Sequence, residues 1–471
     1  MKIKKINHLN DISFIILISL ITFLIWYLFL GFKIINQPFI WDDLHLIRVF
    51  SLEEIINSWK GNWDSDGVET PSYRPIAILF YNFIGTIFKE NYILLRLFIF
   101  LLMICLIIQF NWIISKLGFD REQIIIISSL IIFTKIYTTL LSWLTLSALI
   151  FCYILALMST ILFINWLNKK NNINLIFSIL FAFCSVFTRE TMYILPGILY
   201  LILVYYQKKI FRNFTKNLII VSPFIAIVIV HLFLRKLFVT EASHFEFSVN
   251  SIRFGSEEIS WGNFVKTLKA SWLPMGVWSI NKLYIVQTIT FFSWVISIII
   301  GIFLIIKFKK ISKVSFVNFI VLIFVIFLFN LPSITVARPF GIMLPTLIVL
   351  TFISFMITAL LKIGNFNSNR KLKIFCNFII IIIISSNFFG GYYRSNEHIK
   401  AMNIYSSRII YFDAMSIYDQ DFKDIKISKI EYDKKIKHLK SLNINDWSDI
   451  ENLDKNKNTK IYISNFSPLE F

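Results

Sequence analysis

The chain has 471 residues, of which 57% are apolar and 16% charged, and its mean hydropathy is +0.70. This composition excludes an ordinary soluble domain and predicts a polytopic membrane protein, because so many apolar side chains need lipid around them. The formal charge of +19 does not indicate nucleic-acid binding, since Lys and Arg lie in short clusters between apolar runs and no nucleic-acid motif accompanies them.

The apolar runs predict an all-α fold with about eleven to thirteen transmembrane helices. The first run follows a basic amino terminus and is longer than the core of a signal peptide, so we expect a retained anchor. The predicted spans cover residues 12–31, 92–115, 122–139, 143–167, 173–187, 190–207, 216–238, 284–306, 314–332, 339–361 and 371–390.

The charges predict the topology of these spans. Basic residues cluster in alternate connections, whereas most of the 28 acidic residues lie in 33–91, 239–283 and 391–471. By the positive-inside rule the basic connections are cytoplasmic, so we expect those three segments on the non-cytoplasmic face. The first two are external loops of a transmembrane domain, residues 1–390. The third is polar, contains short β-like stretches such as Lys460–Ser464, and is predicted to form a small α/β appendage.

Two stretches of the first external loop predict helices that lie at the membrane interface. The apolar run 75–88 is shorter than the roughly 20 residues that a spanning helix needs, and it begins at Pro75, a residue favoured at the first helical position. If 75–88 crossed the membrane, Asp42 and Asp43 would also lie on the opposite face from residues 391–471. Residues 52–59 are apolar on one face and acidic on the other, so they predict the second interfacial helix.

The same loop carries two adjacent carboxylates, Asp42 and Asp43, just after the first span. Carboxylates are costly near hydrocarbon, so a pair at the membrane face predicts a functional site. The alternative is that the two side chains cap the helix that follows them. His45 lies two residues beyond the pair, where a supporting role in the site and a purely structural role are both open.

Four motifs occur in a characteristic order, namely Phe39–Asp43, Tyr73–Ile76, Leu95–Leu97 and Thr188–Pro196. They resemble the GT-C superfamily of membrane glycosyltransferases, which use polyprenyl-phosphate sugars. The similarity is greatest to the O-mannosyltransferases that carry tetratricopeptide repeats, and more distant to protein O-mannosyltransferases and aminoarabinose transferases. It covers roughly residues 10–410.

The chain departs from that pattern in two places. Arg394–His398 resembles the point at which the family leaves the membrane, but no repeat of about 34 residues follows it. Residues 135–143 stand where the family often has His-Pro and a Glu, so one expected acidic contact is missing. The first departure removes the basis for partner binding through repeats.

The resemblance implies a GT-C-like fold and a role for each candidate residue. Transfer from a polyprenyl phosphate needs a base for the acceptor hydroxyl and cations for the departing phosphate. Asp42 or Asp43 would be the base, and the other aspartate would orient the base or hold a divalent cation. A divalent cation is the only cofactor that the resemblance suggests. Arg74 and Arg338 precede prolines at external helix starts and are the candidate phosphate ligands. The alternative for Arg338 is an interfacial, snorkelling arginine.

Arg189 and Glu190 lie at an external turn, where they would order the site or, in the case of Glu190, supply a metal ligand. A structural ion pair is the alternative. The sequence therefore predicts a glycosyltransferase in the cell or inner membrane, with its active site on the non-cytoplasmic side. Its partners would be a polyprenyl-phosphate sugar donor, the lipid bilayer and a protein, lipid or glycan acceptor.

Two other functional classes remain open. A transporter or flippase of lipid-linked saccharides is also polytopic, but it is expected to show internal repeats and charged or broken helices near mid-membrane. An O-antigen polymerase or ligase is expected to have an arginine-rich external loop before its last helices. Residues 239–283 contain Arg253 as their only arginine, which disfavours that class.

The predicted topology can be tested with single cysteines at Ser65 and Ser464. Both positions should react with a membrane-impermeant thiol reagent added to intact cells, because both lie in segments assigned to the non-cytoplasmic face. The native chain, treated in the same way, gives the background. Reaction at only one of the two positions would mean that 75–88 crosses the membrane.

Overall fold

Helices form nearly all of the chain that the computed structural model describes. The described residues are 8–35, 43, 46–61, 73–89, 91–131, 134–207, 214–238, 284–307, 343–366, 370–418, 436 and 439–440. Several predicted features lie outside these residues, namely Asp42, His45, Arg338, the span 314–332 and the β-like stretch 460–464.

The described ranges contain no strand, which confirms the all-α prediction for this part of the chain. In chain order the helices are α1 (His8–Phe29), α2 (Leu52–Ser58), α3 (Pro75–Phe88), α4 (Tyr92–Lys116), α5 (Arg121–Ile131), α6 (Lys135–Ser142), α7 (Ser147–Lys169), α8 (Asn172–Thr188), α9 (Leu195–Gln207), α10 (Phe214–Phe238), α11 (Tyr284–Lys307), α12 (Met343–Phe366) and α13 (Arg370–Tyr418). Short 3-10 helices occupy Gly31–Lys33, Leu144–Leu146 and Glu190–Ile194.

Six segments within the described helices are long and apolar enough to cross a membrane, and a bent pair would make a seventh. The six are Asp11–Phe29, Tyr92–Lys116, Leu144–Lys169, Thr215–Phe238, Thr346–Asn365 and Arg370–Tyr392. They identify a multi-pass membrane protein. The finer prediction of about eleven spans is not confirmed by them.

Both interfacial helices predicted in the first loop are present as helices. α2 begins with a capping box, in which the Ser51 side chain accepts from the Glu54 amide and the Glu54 side chain accepts from the Ser51 amide. α3 begins at Pro75 and is 14 residues long, or about 21 Å at 1.5 Å per residue, well short of a hydrocarbon core of about 30 Å. Its length therefore agrees with a helix that does not span the membrane alone.

The predicted span 122–139 is wrong as one continuous helix. The structure divides it into α5 and α6, which are bent by 58° relative to each other. Thr134 explains the interruption, because its amide and its hydroxyl both donate to the Ile131 carbonyl, each at 3.0 Å. Its backbone is extended, with φ −73° and ψ 134°, so the helical hydrogen bonds cannot pass through it.

The last helix does not end at residue 390, where we expected the transmembrane domain to stop. α13 continues without a break to Tyr418, so residues 391–418 are helical. Its membrane-spanning part is Arg370–Tyr392, which agrees with the predicted span 371–390. Apolarity marks where a helix leaves lipid, whereas the helix itself depends on backbone hydrogen bonds and neighbouring contacts. Ser395 and Ile399 are buried in this continuation.

The helices pack in a sequence of neighbours across the bundle. α4 packs against α1 on one side and α7 on the other, α7 packs against α8, and α8 packs against α3 and α10. On the far side of α1 and α4, α5 packs against α12 and α6 packs against α13, while α11 lies against α12 and α13. α1 and α4 therefore join the two halves of the described bundle.

The chain enters all three acidic segments from one end of this bundle. Lys33 Nζ donates to Asn396 Oδ1 at 2.8 Å, so the exits from α1 and from the membrane part of α13 lie together. Phe238 ends α10 beside the first loop, where a Cβ added at Gly61 would lie 2.8 Å from the Phe238 carbonyl oxygen. The common end supports the prediction that the three segments share one face of the membrane.

Buried small residues hold α7 and α8 together through reciprocal hydrogen bonds. Ser159 Oγ donates to the Ser178 carbonyl and Ser178 Oγ donates to the Ser159 carbonyl, each at 2.8 Å. Two turns along, Ser185 Oγ donates to the Cys152 carbonyl at 3.0 Å, and the Cys152 thiol donates in return to the Ser185 carbonyl at 3.3 Å. Small side chains let the two backbones approach closely, as is typical of helix pairs in membranes.

Replacing Ser159 and Ser178 together by Ala should destabilise the bundle more than either single change. Interhelical hydrogen bonds of this kind contribute about 0.5–1.5 kcal/mol in membrane proteins, so the double variant should lose roughly 1–3 kcal/mol of unfolding free energy in detergent. Ser222→Ala is the matched control, because the exposed Ser222 hydroxyl bonds only within its own helix. A double variant as stable as this control would contradict the prediction.

Candidate functional site

Asp43 belongs to the first external loop, and its side chain contacts the irregular backbone that connects α6 to α7. It is 1% exposed, and its Oδ1 accepts from the Thr145 amide at 2.7 Å and from the Thr145 hydroxyl at 2.9 Å. Thr145 belongs to the short 3-10 helix that follows an extended residue, Trp143. Asp43 therefore satisfies a buried amide that a continuous helix would have bonded internally.

Arg96, near the start of α4, satisfies the other side of the same interruption. Its guanidinium is fully buried, and Nη1 donates to the carbonyls of Leu141 and Ser142, at 3.3 and 3.0 Å. These carbonyls end α6, where a cation is also favoured by the helix dipole. Asp43 interacts electrostatically with Arg96, so the two charges belong to one cluster.

Tyr81 and His398 complete what we call the Asp43 cluster, which comprises Asp43, Tyr81, Arg96, Ser142, Thr145 and His398. Tyr81 Oη donates to the Thr145 carbonyl at 2.7 Å. His398 Nε2 lies 3.0 Å from Ser142 Oγ. The Ser142 hydroxyl donates to the Thr139 carbonyl, so the histidine nitrogen is the donor to Ser142. α13 thus contacts the cluster from outside the predicted span.

A second polar group, the Arg74 cluster, lies around the start of α3 and comprises Tyr73, Arg74, Glu190, Tyr193, His231 and Arg235. Arg74 Nε donates to Glu190 Oε2 at 2.8 Å, and the Glu190 side chain is 1% exposed against 17% for Arg74. Arg235 and His231, from α10, also interact electrostatically with Glu190. A single buried carboxylate therefore organises several basic side chains.

Hydrogen bonds fix the tautomer of His231 in this cluster. Its Nε2 lies 2.9 Å from the Tyr73 carbonyl, which only accepts, so Nε2 carries the proton. Nδ1 then accepts from Tyr193 Oη at 2.8 Å. Tyr73 Oη donates to the Trp59 carbonyl at 3.0 Å, and burial raises the pKa of Tyr73, which keeps this donor protonated. The first loop, α3 and α10 are joined through these contacts.

The two clusters lie along one helix. Arg74 is the residue before α3, and Tyr81, two turns later on α3, reaches the Thr145 carbonyl. At 1.5 Å per residue the two positions are about 10 Å apart along the helix axis. α3 also contacts the first loop, because the Phe50 amide donates to Asn82 Oδ1 at 2.9 Å. A displacement of α3 would therefore affect both clusters.

The predicted site residues fall into these clusters as follows. Asp43 lies in one, and Arg74 and Glu190 lie in the other. The side chain of the neighbouring Arg189 is partly buried. Asp42, His45 and Arg338 are outside the described residues. Within the described ranges no three His, Cys, Asp or Glu residues form a group that would hold a metal ion.

Sequence reasoning assigned no role to several members of the two clusters. Arg96, His231 and Arg235 are ionisable residues within long apolar helices, a placement that by itself indicates function or buried pairing. Their signal was therefore present in the sequence. Thr145 gave none, because an ordinary threonine at the end of an apolar run does not reveal that its amide will need a buried acceptor.

No protein-family model, curated protein or solved structure matches the chain. The resemblance to GT-C enzymes therefore rests on the sequence motifs. All four motifs contribute residues to the two clusters. Phe39–Asp43 contains Asp43, and Leu95–Leu97 contains Arg96. Tyr73–Ile76 contains Arg74, and Thr188–Pro196 contains Glu190.

Asp43→Asn should lower the unfolding free energy by about 3 kcal/mol, the scale for breaking a buried charge pair. Asn keeps an oxygen for Thr145 but removes the negative charge beside Arg96. Asp11→Asn is the control, because Asp11 pairs with the largely exposed Arg121 and should cost about 1 kcal/mol or less. Equal losses in the two variants, measured by unfolding in detergent, would show that Asp43 does not balance Arg96.

Proposed function

We propose that the protein is a membrane glycosyltransferase that moves a sugar from a polyprenyl phosphate to an acceptor hydroxyl. The observation that carries the proposal is the hydrogen bonding of the Arg74 guanidinium group. Only its Nε is engaged by Glu190, and within the described residues its two terminal nitrogens have no partner. Terminal guanidinium nitrogens form the fork that binds phosphate oxygens, and Arg74 is partly exposed at the end of the bundle that also carries Asp43.

In this reaction Asp42 is the base and Asp43 is a positioning residue. Asp43 is buried and already accepts two hydrogen bonds from Thr145, so it is poorly placed to receive a proton from an acceptor. Asp42 takes the proton of the acceptor hydroxyl as that oxygen attacks the anomeric carbon. The bond from this carbon to the phosphate oxygen breaks, and Arg74 stabilises the negative charge of the leaving polyprenyl phosphate.

A flippase of lipid-linked saccharides is the second candidate, and a specific observation favours it. α5 and α6 form a bent pair in place of one straight span, and Arg96 is fully buried near the start of a spanning helix. Broken helices and buried charges mark substrate pathways in transporters. In the transferase, Arg96 supports the backbone around Asp43 by donating to the carbonyls of Leu141 and Ser142.

Asp42→Asn should reduce sugar transfer by roughly a hundredfold to ten-thousandfold, the contribution of a general base, while protein abundance stays unchanged. Asn cannot take the proton, although it caps a helix about as well as Asp. The measurement is transfer from a polyprenyl-phosphate sugar to acceptor in membranes containing equal amounts of each protein. Asp11→Asn, at the opposite end of α1, is the control for loss of a carboxylate.

Transfer at the wild-type rate in Asp42→Asn would rule out this residue as the base. A flippase is distinguished by a second measurement in sealed vesicles, because it moves the lipid-linked sugar between leaflets without forming a product on an acceptor. If the wild-type protein moves the lipid-linked sugar between leaflets but transfers no sugar to an acceptor, the protein is a flippase and not a transferase.

A further inference from the structure

Glu190 carries a buried oxygen without a hydrogen-bond donor. Its Oε2 accepts from Arg74 Nε at 2.8 Å, whereas Oε1 has no partner among the described residues, although the side chain is only 1% exposed. Most buried polar atoms in proteins are paired, and a buried acceptor left unpaired is costly. An oxygen in this state is suited to accept from a group that arrives with a ligand.

The neighbouring Arg74 presents the complementary chemistry. Glu190 holds the guanidinium by Nε, which fixes its orientation, and the two terminal nitrogens have no partner in the described part of the chain. Donors for an anion and an acceptor for a hydroxyl therefore lie side by side. A sugar attached to phosphate carries both matching groups within one molecule.

We propose that Glu190 Oε1 accepts a hydrogen bond from a hydroxyl of the donor sugar whose phosphate is bound by Arg74. The inference rests on the proposed function and extends it, because it assigns sugar recognition to Glu190. Arg74 binds the phosphate, which every polyprenyl-phosphate donor shares. Glu190 recognises the sugar, so it discriminates between the donor that carries a sugar and the polyprenyl phosphate that remains after transfer.

A hydroxyl fits Oε1 better than a metal ion does. The described residues provide no group of three His, Cys, Asp or Glu around any point. Arg74 and Arg235 already interact with Glu190, and a further cation would be repelled by both guanidinium groups. A hydroxyl adds no charge and supplies the one donor that the oxygen needs.

The test measures binding of two ligands to the full-length protein in nanodiscs, farnesyl phosphate and farnesyl phosphate that carries a sugar. A panel of hexoses and aminopentoses covers the unknown sugar. Wild-type protein should bind at least one loaded ligand more tightly than farnesyl phosphate. Glu190→Gln should reduce that preference by roughly tenfold or more, the scale of a hydrogen bond to a charged group, because its amide replaces the charged acceptor.

Three further variants make the result specific. Arg74→Lys should weaken both ligands equally, because it removes the fork that holds the phosphate. Glu53→Gln is the matched control, since Glu53 is an exposed glutamate of the first loop and should leave the preference intact. Glu190→Asp keeps the charge but withdraws the oxygen, so it should reduce the preference even if Glu190→Gln does not fold.

The outcomes separate the two proposals. If wild-type protein binds neither ligand, the proposed function fails. If Arg74-dependent phosphate binding is present but no sugar increases affinity, or if both Glu190 variants keep the full preference, only the role of Glu190 is overturned. If EDTA abolishes the preference of the wild-type protein for the loaded ligand, Glu190 Oε1 binds a metal ion and not a sugar hydroxyl.

Discussion

The described structure depends on the need to satisfy irregular backbone inside a membrane protein. Between α6 and α7 the chain leaves helical geometry, and lipid offers no partners for the amides and carbonyls that this exposes. Asp43 accepts a hydrogen bond from the Thr145 amide, and Tyr81 donates one to the Thr145 carbonyl. Arg96 donates to the carbonyls that end α6. Two buried charges are retained there because each one replaces hydrogen bonds that the solvent cannot supply.

This arrangement links the first external loop to the centre of the bundle. Asp43 comes from that loop, Arg96 from α4 and Tyr81 from α3, so three separate parts of the chain meet at one interruption. His398 adds α13, which connects the long helix beyond the predicted membrane boundary to the same point. His398 is thus connected to Asp43 through Ser142 and Arg96, because Arg96 donates to the Ser142 carbonyl and interacts electrostatically with Asp43.

Arg74 and Glu190 illustrate the opposite use of buried charge. Their ion pair joins the start of α3 to the 3-10 helix before α9, but one carboxylate oxygen and two guanidinium nitrogens are left without partners in the described residues. A purely structural pair is more stable when both partners are fully satisfied. The unsatisfied atoms are therefore the strongest physical reason to place ligand binding here rather than at Asp43.

The sequence by itself determined the class of the protein and most of its helices, and it singled out Asp43, Arg74 and Glu190, which the structure places in two polar clusters. Apolar runs report directly on burial in lipid, and carboxylates or arginines beside them are too costly to occur without a reason. The interruption at Thr134, the extension of α13 to Tyr418 and the separation of the two clusters were decided by tertiary structure. Each depends on which distant group satisfies a particular backbone atom, and hydropathy along the chain carries no information about that partner.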